Sequence, residues 1–196
     1  MKAKFSFALF GLLAYVAILP VAEAHTFGSQ GAGLMAGLTH PLVGLDHLLA
    51  MIAVGIWAGQ LGGRAVWLIP LTFVSVMAAA ATLASFGLLL PLVEPAIACS
   101  VLVLVLGLLI AGSVRLPTSV GALLVGLFAV FHGYAHGLEL PQAASPILYG
   151  AGFVLATALL HGLGIGFARN SRQHKMLQRI AGYSLIAASG LLLAAA

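Results

Sequence analysis

The sequence predicts an all-α fold: a polytopic membrane helical bundle with six transmembrane helices after a cleaved signal peptide. Three observations carry this. Of the 196 residues, 62% are hydrophobic and 6% charged, with a mean hydropathy of +1.17, so the apolar surface exceeds what one soluble core can hide. The apolar residues gather into runs close to the ~20 residues that cross a ~30 Å hydrocarbon layer. The basic residues fall between those runs in alternate loops, the asymmetry that orients membrane helices. The same composition excludes intrinsic disorder, and the 24 glycines suit helices packed in lipid. A single cysteine, Cys99, rules out a disulfide framework and any paired-cysteine zinc or redox motif. The pI near 9.7 comes from thinly spread Lys and Arg rather than a basic face, so the lipid bilayer, not nucleic acid, is the expected partner.

Residues 1–24 read as the signal peptide. Lys2 and Lys4 precede an apolar run from Phe5 to Val21, and Ala22-Glu23-Ala24 supplies the small-x-small pattern of a cleavage site. Cleavage after Ala24 leaves residues 25–196 as one transmembrane domain beginning at His25; the competing reading is an uncleaved first helix, for which the run is short. Apolar segments then occupy 41–60, 65–90, 95–113, 118–139, 146–168 and 179–195. The connections carry helix punctuation: Gly62-Gly63-Arg64, Pro91 to Pro95, Arg115 to Pro117, Leu140 to Pro146, and Arg169 to Arg179. A cleaved leader puts the mature N-terminus outside and makes the first, third and fifth loops cytoplasmic. Those loops hold Arg64, Arg115, and Arg169, Arg172, Lys175 and Arg179, whereas the second and fourth contain no Lys or Arg. The expected location is the bacterial inner membrane, with both mature termini periplasmic. Trp57 and Trp67 flank the Arg64 loop and read as interfacial anchors; Cys99, Met35 and Met51 read as packing residues.

An ionisable side chain at membrane depth costs at least ~2.5 kcal/mol for Asp on the insertion scale, so it needs a partner or a function. Here such residues cluster. The first span opens with His40-Pro41-Leu42-Val43-Gly44-Leu45-Asp46-His47, and the fourth closes with Phe131-His132-Gly133-Tyr134-Ala135-His136-Gly137-Leu138-Glu139. His132, His136 and Glu139 stand at i, i+4 and i+7 and share one helical stripe. His40 and His47 are also seven apart, while Asp46 lies ~100° round the helix, either a direct ligand or the carboxylate that orients an imidazole. Pro41 breaks the hydrogen bond to Gly37, so the helix is expected to start or kink there. Entering near Pro41 puts His47 about 9 Å down, with His136 about 6 Å and His132 about 12 Å from the same face. Gly44, and Gly133 with Gly137 as a GxxxG pair, suit close helix contact. The sequence therefore predicts one metal or proton site between the first and fourth spans, in the outer half of the membrane. Imidazole and carboxylate without thiolate suit divalent Ni, Co or Zn better than Cu(I), Mg or Ca, and leave those three undistinguished.

Weaker candidates lie elsewhere. Glu94, between Pro91 and Pro95, sits at the outer mouth of the third span, where it attracts cations or simply faces water. His161 lies about 22 Å along the fifth span, a second station on a path or a buried histidine bonded to backbone. His25, freed as an N-terminus, would chelate through amine and imidazole together. His174 in the basic inner loop reads as solvated.

The two motifs, His40-x5-Asp46-His47 and the run from Phe131 to Glu139, resemble those of the HupE/UreJ proteins, hydrogenase and urease accessory membrane proteins regarded as nickel permeases. The leader, the six spans and the Glu94 segment are similar too. The resemblance implies uptake of Ni2+, or Co2+, across the inner membrane for a nickel enzyme and its maturation proteins. His40, Asp46, His47, His132, His136 and Glu139 are the metal-site residues it carries over. The metal is then cargo, no cofactor is required, and the chain is not an enzyme. The rivals are a haem-binding electron-transfer protein with His on two spans, an intramembrane metallohydrolase, for which HExxH is absent, and a metal sensor or chaperone that binds without transporting. No phosphate-binding GxxxxGK[ST] occurs, so movement would rest on the ion's own gradient and the membrane potential.

Overall fold

The computed structural model describes residues 29–93, 95–97, 99–100, 103, 116–139, 145–171 and 183, and of residues 29–32, 45 and 46 the backbone only. Among them are five long helices and no strand: α1 (Ser29–Val43), α2 (Leu45–Leu61), α3 (Ala65–Ser85), α4 (Thr118–Leu138) and α5 (Pro146–Asn170). The last three are each long and apolar enough to cross a membrane, and α1 with α2 makes a fourth crossing if the bent pair counts as one span. The first, second, fourth and fifth predicted spans thus have helices in place. The leader, most of the third span and nearly all of the sixth lie outside the described residues.

The first span differs from expectation. Helix α1 begins twelve residues before Pro41 and runs through it, and the break falls at Gly44, whose backbone is extended at φ −78° and ψ 111°. Gly33–Val43 and His47–Leu61 meet there at 78°. Pro41 forfeits one backbone bond near the helix end, and glycine, with no side chain to hold the helical form, gives way three residues later. Gly44 is therefore the corner of the span.

At the other end of α2, Gly62 and Gly63 both take positive φ, 71° and 52°, which glycine adopts at no steric cost, and the chain turns directly into α3. Trp57 is 1% exposed and belongs to the core, whereas Trp67 is 72% exposed; only Trp67 is placed as an interfacial anchor would be. Met51 is fully buried as a packing residue should be, but Met35 is exposed, as is Cys99.

Two helix pairs set the frame. In the first, α3 and α4 pack most extensively: a Cβ added at Gly133 would collide with the Met77 carbonyl, and one at Gly137 with the Ala81 carbonyl and the Ala84 side chain. The expected GxxxG pair is thus a helix contact, made with α3. In the second, Gly55 of α2 lies against the His161 backbone and Gly164 of α5 against Ile52. Thr157 meets Met51, and Gly59 meets Ile165 and Ala168, so numbers rise together and α2 and α5 run in the same direction. Gly121 against Ile69 and Gly133 against Met77 make α3 and α4 parallel likewise. Helix α1 lies along the first half of α5, with Gly37 against Tyr149 and Gly152 against Leu34.

Candidate metal centre

The break at Gly44 brings the first motif together. Along an unbroken helix His40 and His47 would be about 10.5 Å apart at 1.5 Å per residue; across the bend their ring centroids are 6.0 Å apart. The second motif meets them from α4. His136 lies tilted against His47 at 4.3 Å and edge-on to His40 at 4.9 Å between ring centroids. Glu139 caps the end of α4, its N–H donating to the Ala135 carbonyl at 3.0 Å.

One Glu139 oxygen, Oε2, lies 3.0 Å from His40 Nε2 and 3.5 Å from His136 Nδ1. A single carboxylate oxygen thus faces imidazoles from α1 and α4. His47 completes the surroundings of this carboxylate. His40, His47, His136 and Glu139 each offer a ligand atom, and all four atoms lie within 4.8 Å of one another. Three nitrogens and one carboxylate oxygen in that volume are a donor set for a borderline divalent ion.

The cluster is closed below and open above. His47 and His136 are buried, but the side chains of His40 and Glu139 are 28% and 46% exposed. A cavity of about 290 Å³ lined by His40, Val43, Gly44, His47, Ile97, Ala135 and Glu139 leads to them. Phe153 lies 4.2 Å from His136 between ring centroids, and Tyr149 lies 5.9 Å from His40. Tyr134 donates to the Leu88 carbonyl at 2.5 Å and accepts from the Leu90 N–H at 3.2 Å, tying the segment after α3 to α4 beside the cluster.

His132 stands one turn deeper. Its ring is 5.4 Å from His47, and Nδ1 is 3.1 Å from the Phe128 carbonyl. A carbonyl only accepts, so Nδ1 carries the proton and the lone pair is on Nε2, which is buried and has no hydrogen-bond partner among the described residues. The structure thus gathers four of the six expected residues into one group, with His132 just beneath. The side chain of Asp46, and all of Glu94 and His25, lie outside the described residues. His161 is buried on α5, apart from the group.

Sequence reasoning missed Tyr149 and Phe153, the two aromatic residues beside the cluster. Tyr149, Phe153, Thr157 and His161 recur every four residues along α5 and are all buried, a stripe that helical periodicity makes visible. Phe73 has no such signal; it is one aromatic residue in an apolar helix.

The family model described as HupE / UreJ protein matches residues 13–193. Protein HupE of Rhizobium leguminosarum bv. viciae is 48% identical over 183 residues, covering 92% of this chain and 94% of that protein. No solved structure matches the chain. The matched range spans all five described helices: the chain belongs to the HupE/UreJ family.

Proposed function

We propose that this chain is a permease of the bacterial inner membrane that takes up a divalent transition-metal cation, nickel or cobalt, and supplies it for hydrogenase or urease maturation. The observation that carries this is the convergence of His40, His47, His136 and Glu139 from three helices on one small volume, with a cavity leading to it. Family membership supports nickel as cargo, because the family's accessory role is tied to nickel enzymes.

A hydrated cation enters the cavity, meets the anionic Glu139, and exchanges water for imidazole nitrogen. Asp46 joins the set as ligand or as the carboxylate orienting one, and His132 lies inward of it. An inside-negative potential contributes about 4.6 kcal/mol per 100 mV to a divalent ion, at ~2.3 per charge. No phosphate-bond energy is required for uptake on this scale.

The test is uptake of radioactive Ni2+ into proteoliposomes under an inside-negative potential. Saturable uptake that His136→Ala loses, at equal protein in the bilayer, is the expected result. Stoichiometric Ni2+ binding with no flux would make the protein a sensor or chaperone instead. A Soret band in the purified protein would favour the haem reading.

A further inference from the structure

One buried histidine has no place in the outer cluster. His161 sits within α5 at 2% exposure, and among the described residues neither ring nitrogen has a hydrogen-bond partner. Burying an unpaired imidazole is costly, and such groups call for an explanation, an absent ion among them. Packing alone does not supply one, since an apolar side chain of similar volume would fill the site without that cost.

Its surroundings point to the outer cluster. The Phe73 ring meets His161 edge-on at 5.3 Å between centroids, with the planes 81° apart. The same ring lies 5.8 Å from His132, whose Nε2 is also unpartnered. Two imidazoles with unsatisfied nitrogens therefore flank a single aromatic side chain. One turn before His161, the fully buried Thr157 hydroxyl donates to the Met51 thioether of α2 at 3.3 Å, rather than to its own helix as Thr usually does. Polar and polarisable atoms thus continue along the α2–α5 seam at this depth, where the rest of the core is apolar.

We propose that His161 is a second, inner station for the divalent cation, which it receives from His132 past the Phe73 ring. This rests on the permease reading. The outer cluster collects the ion, and the single imidazole beyond Phe73 holds it more weakly, so that it can leave.

The experiment uses the full chain, with Ni2+ and Cd2+ as probes. His161→Gln is expected to keep the wild-type Kd for Ni2+ in detergent, because no outer residue changes, and to lose at least tenfold in Ni2+ uptake by proteoliposomes. His161→Cys puts a thiolate in the path, and soft ligands favour Cd2+; the Cd2+ to Ni2+ uptake ratio should rise at least tenfold over wild type. A merely structural histidine would not move that ratio. Wild-type uptake by His161→Gln, or an unchanged ratio in His161→Cys, overturns the inner station and leaves the permease reading intact. Absence of uptake by the wild-type protein overturns both. Should His161→Gln lose Ni2+ binding through misfolding, the ratio in His161→Cys decides.

Discussion

Glu139 stands just past the end of α4, and one of its oxygens meets imidazoles from two helices. Replacing it by Gln keeps the shape and removes the charge. Glu139→Gln is therefore expected to weaken Ni2+ binding roughly ten- to hundredfold, the scale on which removing a metal ligand's polar partner acts, with little change in thermal stability; titration of purified protein measures it. Unchanged affinity would put the carboxylate outside the ion's coordination. The residue types of this site were legible, because histidines and carboxylates are scarce in so apolar a chain and therefore conspicuous. Their depths were not. The estimate for His47 assumed a helix continuous from Pro41, whereas the residue lies in the first turn of α2 after a sharp bend. With 24 glycines in the chain, nothing local distinguishes the one that breaks a helix from those that pack one.

At the scale of elements, that break has a testable role. Gly44 has negative φ, so alanine can adopt its backbone angles without strain. Alanine favours helix over glycine by up to about 1 kcal/mol, and a straighter α1–α2 would draw His40 away from Glu139. Gly44→Ala is expected to lower Ni2+ affinity about fivefold without loss of thermal stability. The His-Gly pairs offer a second contrast. Gly133→Val should destabilise by at least about 1–3 kcal/mol, as overpacking does, because the new Cβ strikes the Met77 backbone. Gly162→Ala should stabilise by up to about 1 kcal/mol, since none of the described residues lies within 4 Å of its added Cβ. Thermal unfolding in detergent checks both, and equal effects would mean that α3 and α4 are not in contact through Gly133. Span lengths could be read from hydropathy, and the helices α4 and α5 follow the predicted 118–139 and 146–168 to within two residues. Helix α1 could not, because its small and polar residues lack an apolar run, and it is its packing on α5 that holds it in place.

Across the whole molecule, α2 and α5 run together in one direction and α3 and α4 together in the other, as follows from counting alternating spans. Which helices pair was not legible, since glycines are spread over every span and only the folded contacts single out those that meet backbone. The arrangement gathers Arg64 and Arg169 at the end of the bundle away from Glu139. If basic residues mark the cytoplasmic side, the open face of the imidazole cluster looks out of the cell. In a Cys99→Ser background, Leu89→Cys, at a position 94% exposed in the segment after α3, should react with a membrane-impermeant maleimide on intact spheroplasts. Asn170→Cys, at the far end of α5, should react only after lysis. The opposite pattern would turn the cavity towards the cytoplasm. The ligand chemistry would be unchanged, but Glu139 would then meet metal already inside the cell, and uptake would give way to export or sensing.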